Sequence, residues 1–129
     1  MSGALVSVGR WGENLAVQHV LSNGYHVIAC NVRPGNGHAV RGEIDIIARL
    51  HDTICIIEVK TLRRVVQDFI PAMNVTLLKQ RQIVRLTELW LCLNPLPERV
   101  SLRFDVIAVQ LVLQGPPKLS WMQGAFLAE

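Results

Sequence analysis

Asp45, Glu58 and Lys60 stand where this chain is best equipped for chemistry. Two acidic segments, Gly42-Glu43-Ile44-Asp45 and Glu58-Val59-Lys60, end two apolar runs that meet at a polar turn. Residues 43–50 and 53–60 alternate as strands, and His51-Asp52 between them reads as the turn of a hairpin. That turn sets the register. With Leu50 facing Thr53, Asp45 lies across from Glu58 and Glu43 across from Lys60; a four-residue loop gives the same pairing. Directly opposed side chains have Cβ atoms roughly 5 Å apart on one face, so Asp45 and Glu58 set two like charges side by side. Such a pair needs a cation or a shared proton.

Phosphodiester hydrolysis uses a hard cation held by carboxylates, with positions open for a phosphate oxygen and an attacking water. Asp45 and Glu58 supply that cradle, with Mg²⁺ or Mn²⁺ the expected ion. Lys60, two residues beyond Glu58, points to the same face. There an ammonium orients or deprotonates water, or neutralises charge developing on the phosphate. The plainer reading of Lys60 is a cross-strand ion pair with Glu43, which the same register predicts; the two are compatible. Glu43 is also placed to be an outer metal ligand. An Asp followed at variable distance by Glu-x-Lys arises by chance about once in a chain of this length, so the weight rests on its context.

Two helices must position these residues. In the long one, residues 74–91, Val75, Leu78, Ile83, Leu86, Leu89 and Trp90 form an apolar stripe at about 100° per residue, and Lys79 and Gln82 interrupt it. Arg81, Arg85 and Glu88 take the solvated side. Lys79 and Gln82 either face the acidic site, or Lys79 snorkels along the core edge while Gln82 satisfies a backbone group. In the first helix, residues 11–22, Glu13 begins the stripe Glu13, Ala16, Val17, Val20. It points toward the site or is simply a charge favoured at a helix N-terminus. A second apolar line, Leu77, Val84 and Leu91, reads as a partner surface or as a core packed from both sides.

The remaining pattern predicts an α/β chain of order α-β-β-β-α-β with a mixed sheet. Its strands cover residues 25–33, the hairpin and residues 102–109, with an extra strand near residues 118–122. Gly24 stops the first helix and Asn74 caps the second. Pro34-Gly35-Asn36-Gly37-His38 reads as a loop that moves without ligand. Half of the 129 residues are hydrophobic, enough for one domain over residues 1–129, with its core at about 8–110 and residues 111–129 as a C-terminal extension. Neither a membrane span nor a signal peptide is visible, so the expected location is the cytoplasm. Cys30, Cys55 and Cys92 are expected to be reduced and buried, and the four histidines lack zinc-site spacing.

Net charge is +3 with pI near 9.1. Arginine forks onto phosphate, so Arg33 and Arg41, Arg63-Arg64, and Arg81 with Arg85 suit a polyanionic partner, or form an ordinary solvated surface.

Taken together, Gly9-Arg10-Trp11-Gly12-Glu13, Asn31 with Arg33, Gly42-Glu43-Ile44-Asp45-Ile46-Ile47-Ala48, Ile57-Glu58-Val59-Lys60-Thr61, Lys79 and Arg103-Phe104-Asp105-Val106 resemble the YraN family of bacterial proteins. The resemblance implies a restriction-endonuclease-like fold of the PD-(D/E)XK superfamily, similar to Holliday-junction resolvases. It makes Asp45, Glu58, Lys60 and Glu13 the site residues, with Asp45, Glu58 and Glu13 as metal ligands. Glu43, Lys79 and Gln82 support them, and Asp105 either is structural or backs the site residues from behind. Arg10, Arg33, Arg41, Arg63 and Arg64 are the candidate contacts to nucleic acid, with DNA the expected substrate. The chain departs from the family pattern at Leu62, where an arginine is usual, and at Thr87, where alanine is usual. The alternatives are a nucleic-acid-binding adaptor that keeps the scaffold without cleavage, and a protein-interaction module whose acids are structural. A homodimer is compatible with all three.

Overall fold

Ser7 accepts the Arg10 N–H at 3.1 Å and starts α1 (Val8–Ser22), earlier than the predicted residue 11. The structure, a computed structural model, describes residues 7–37, 40–64 and 75–128. After α1 come β1 (His26–Val32), a 3₁₀ turn (Pro34–Gly37), β2 (Ile44–Leu50), β3 (Thr53–Leu62), α2 (Leu77–Leu93), β4 (Ser101–Gln110) and β5 (Lys118–Phe126). The sheet order is β1-β2-β3-β4-β5, antiparallel except for the β3–β4 pair, and α2 makes the crossover that a parallel pair requires. This is the mixed, helix-flanked α/β sheet expected of a restriction-endonuclease-like fold. The expected extra strand is present and runs on to Phe126.

The hairpin register agrees with the sequence. Leu50 pairs with Thr53, and the ladder continues to Ile46 and Ile57. His51 in the turn takes a left-handed φ of 53°. Alternation along β3 divides the core. Ile54 and Ile56 pack with Ile83, Leu86 and Trp90 of α2, while Cys55 and Ile57 pack with Ala16 and Val20 of α1. Gly12 allows α1 to come that close: a Cβ there would lie 1.9 Å from Thr61 Oγ1.

Several expectations need correction. Leu78 is 78% exposed. The buried stripe of α2 is Ile83, Leu86, Thr87 and Trp90; one turn before Ile83 it continues to Lys79, and Leu78 lies about 100° away from that line. The helix cap is Thr76, which accepts the Lys79 N–H, in place of Asn74, which lies outside the described residues. Thr87 fits the core because its hydroxyl donates to Ile83 O at 2.8 Å. Of the second apolar line, Val84 and Leu91 pack against the core, whereas Leu77 is exposed. Only Cys55 is buried. Cys30 falls on the exposed side of the edge strand β1, and Cys92 on the polar side of α2. Residues 34–37 form a 3₁₀ turn in place of an irregular loop, and His38 lies outside the described residues. No helix among the described residues is long and apolar enough to cross a membrane.

Asp105 holds the far half of the sheet together on the α1 face. It is fully buried and accepts from Arg103 Nε and Nη2, Trp121 Nε1 and the Gly124 N–H, each at 2.9 Å. The β4–β5 register shifts at this position, and the carboxylate satisfies a β5 amide where the ladder is broken. Its role is structural. Asp105→Ala removes a fully buried acceptor and leaves the half-buried Arg103 guanidinium, the Trp121 indole and the Gly124 amide without it, so the urea midpoint should fall by the equivalent of about 3 kcal/mol, with Asp105→Asn losing less; an unchanged midpoint for Asp105→Ala would contradict this role.

Candidate metal centre

Glu13 comes from α1, Glu43 from the residue before β2, Asp45 from β2 and Glu58 from β3. Carboxylate oxygens of Glu13, Glu43 and Asp45 lie within 4.8 Å of one another. The β2–β3 ladder stops one pair short of Asp45 and Glu58, and the Val59 N–H just beyond it donates to Asp45 Oδ2 at 2.8 Å. Glu58 sets its charge beside Asp45, and its Oε1 stands 3.7 Å from Lys79 Nζ. Lys79 therefore points at the acids, as one of its two sequence readings holds.

A bulge on β1 delivers the residue that ties the cluster together. The β1–β2 register slips at Ile28, so Asn31 stands level with Asp45, between the Cys30–Ile46 and Val32–Ile44 pairs. Asn31 Nδ2 donates to Glu13 Oε1 at 2.9 Å and to Glu43 Oε1 at 3.1 Å. Its φ of 51° is left-handed, a conformation that asparagine tolerates better than most residues. Arg10 bonds Asn31 Oδ1 and stands 3.1 Å from Glu13 Oε1, while Arg33 Nε stands 3.1 Å from Glu43 Oε2. Sequence reasoning reached Asn31 only as part of the family resemblance. The single local signal was an asparagine at a strand end.

Gln82 takes the plainer of its two readings. Its Nε2 donates to Arg41 O at 2.6 Å, and it passes over Gly42, where a Cβ would stand 2.6 Å from Nε2. Gly42 also has a φ of 97°, disfavoured for other residues, so glycine is required here twice over. The contact fastens the segment carrying Glu43 and Asp45 to α2.

The predicted Lys60–Glu43 ion pair does not form. Glu43 takes Arg33 and Asn31 as partners because β2 and β3 have already parted beyond Ile46 and Ile57. Lys60 lies two residues past Glu58 on the α2 face, exposed, and its ammonium has no ion pair among the described residues. Arg41, Arg63 and Arg64 are exposed; the last two line a separate shallow cavity with Leu111 and Val112.

Crowding shows in the electrostatics. Burial first, then the charges of Glu58 and Glu13, push Asp45 up to about 8 against the opposing Val59 N–H and Lys79. Burial also raises Glu58, with Lys79 opposing. An all-oxygen group of close carboxylates, one of them buried and reluctant to ionise alone, fits a hard divalent cation. The same ion would relieve the repulsion.

The family model described as "Uncharacterised protein family UPF0102" matches residues 12–109. A UPF0102 protein of Alkaliphilus oremlandii is 41% identical over 120 residues, 92% of this chain and 97% of the relative. One of Desulfitobacterium hafniense is 36% identical over 126 residues, 96% of this chain and 99% of the relative. One of Caldicellulosiruptor bescii is 36% identical over 105 residues, 81% and 83% of the two chains.

These shifts have a definite sign. Asp45 rises from an ordinary 3.8 to about 8, so the folded protein holds a proton that the unfolded chain has released. The resulting stabilisation is complete below the unfolded value and is lost as pH rises through the folded one. In chelator, the thermal midpoint should therefore fall between about pH 4 and about pH 8, and Asp45→Asn should flatten that fall. Near pH 8, Mg²⁺ or Mn²⁺ at about a hundred times its dissociation constant should restore about 2.7 kcal/mol to wild type and much less to Asp45→Asn. A flat wild-type profile with no metal response would refute the crowded-carboxylate account.

Proposed function

The chain belongs to the UPF0102 (YraN) family, and we propose that it is a metal-dependent nuclease hydrolysing phosphodiester bonds in nucleic acid, with DNA as the substrate and the cytoplasm as its location. The observation that carries this reading is the convergence of Glu13 from α1 with Glu43 and Asp45 from the start of β2 within 4.8 Å, with the Glu58 charge of β3 beside Asp45. A structural role does not call for so much like charge in one place. The residues matched to the family, 12–109, include Lys60 and Lys79 as well as all four acids.

Glu13, Asp45 and Glu58 would hold Mg²⁺ or Mn²⁺, with Glu43 directly or one shell further out. When bound, the ion supplies Lewis-acid polarisation of a phosphate oxygen and makes bound water more acidic. The chain's own groups do the rest. Asn31 keeps Glu13 and Glu43 together, and Lys79 holds Glu58 on the α2 side of the cluster. Lys60, not committed to any ion pair among the described residues, is available to orient the attacking water or to offset charge developing on the phosphate. Arg10 and Arg33 are spent on Glu13 and Glu43, and in that state they brace the acids instead of reaching for a substrate.

That last observation also favours the second reading, a nucleic-acid-binding adaptor without cleavage. With Lys79 beside Glu58, three of the four acids already have cationic partners, which lowers the cluster's need for metal. Cleavage of a labelled panel of branched, flapped, single-stranded and linear DNA and RNA with Mg²⁺ or Mn²⁺ separates the two. Wild type should turn over at least one substrate, with the rate falling by a factor of about 100 or more in Asp45→Ala and in Lys60→Ala. Salt-sensitive binding shared by all three proteins, without turnover, would replace the nuclease with the adaptor.

A further inference from the structure

A groove of about 500 Å³ runs along the N-terminal half of α2, with Val40 and Leu78 on its walls and Lys79, Arg81, Gln82 and Arg85 along it. The sequence placed Arg81 and Arg85 on a solvated side with no assigned task. Lys79 belongs to both places, lining the groove and standing 3.7 Å from Glu58 Oε1, so the groove adjoins the carboxylate cluster. Among the described residues neither Arg81 nor Arg85 is engaged with a carboxylate, in contrast to Arg10 and Arg33.

We propose that this groove seats the sugar-phosphate backbone of the nucleic-acid strand leading into the cluster, with Arg81 and Arg85 on successive phosphates and Lys79 at the point of entry. The proposal rests on the nuclease reading and names the surface by which the substrate arrives. Charge complementarity carries it. A polyanion approaching four carboxylates is repelled, and the cations along the adjoining groove offset that repulsion on the approach path. Spacing agrees: Arg81 and Arg85 are four residues apart on one helix face, a rise of about 6 Å, close to the separation of successive phosphates on one strand. Guanidinium forks suit phosphate oxygens, and the apolar walls suit sugar carbons. Contacts of this kind position a strand without reading its bases, so binding along the groove is independent of sequence and sensitive to salt.

The test is equilibrium binding of the full chain to a labelled DNA duplex and a labelled four-way junction over a salt series, with Ca²⁺ in place of Mg²⁺ to suppress turnover. Wild type is compared with Arg81→Ala/Arg85→Ala, with Arg81→Lys/Arg85→Lys, and with Arg99→Ala as a control for general charge loss. Arg81 and Arg85 are exposed, and matching thermal midpoints would show that the variants fold. The alanine pair should bind at least about tenfold more weakly on both probes, with a slope of log affinity against log salt reduced by about 2. The lysine pair should recover most of the slope, and Arg99→Ala should lose far less affinity. Wild-type affinity and slope in the alanine pair would overturn the groove while leaving the nuclease reading intact. Failure of wild type to bind either probe, or any strand of the cleavage panel, would overturn both.

Discussion

Electrostatic repulsion among Glu13, Glu43, Asp45 and Glu58 is the constraint around which this end of the molecule is arranged. Burial makes it worse, since little water is left to solvate the charges or to screen them from one another. The fold answers with donors and cations placed one by one: Asn31 between Glu13 and Glu43, Arg10 on the same Glu13 oxygen, Arg33 on the other oxygen of Glu43, the Val59 amide on Asp45, and Lys79 near Glu58. Asp45 and Glu58 still share a contact that demands a proton or a cation.

Asp105 gives the contrast within the same sheet. It is more deeply buried than Asp45, yet two arginine nitrogens, an indole and a backbone amide meet its oxygens. A carboxylate satisfied in this way holds strands together and has nothing left to offer a ligand. The two aspartates come from β2 and β4, on either side of β3, and lie on opposite faces. Their partners, not their burial, separate the structural acid from the chemical one.

Close backbone approach makes the cluster possible. Gly12 lets α1 settle against Thr61, which brings Glu13 to the end of the sheet, and Gly42 lets Gln82 reach the Arg41 carbonyl, which secures the start of β2 to α2. Any side chain at either glycine would have to move its neighbours, so the site depends on two positions that carry no functional group. The bulge at Ile28 acts in the same way, since without that slip Cys30 would stand level with Asp45 in place of Asn31.

The sequence by itself determined the β2–β3 hairpin, the opposition of Asp45 and Glu58, the α/β order and the singular positions of Lys79 and Gln82 in an apolar stripe. These are local properties: alternation with period two coupled to a short turn leaves one register, and helical spacing marks a polar residue on a buried face. It also misplaced Leu78 in that stripe, because apolar character was taken for face when Lys79 one position on lies nearer the line through Ile83. Only the tertiary structure decided that Glu43 pairs with Arg33 and leaves Lys60 without an ion-pair partner among the described residues, that Gln82 serves a backbone carbonyl, and that Asn31 is the tie between two acids. Each of these depends on how far β1, β2 and β3 part at their ends and how closely the helices approach. Such distances arise from packing among residues remote in sequence, and no periodicity within one segment encodes them.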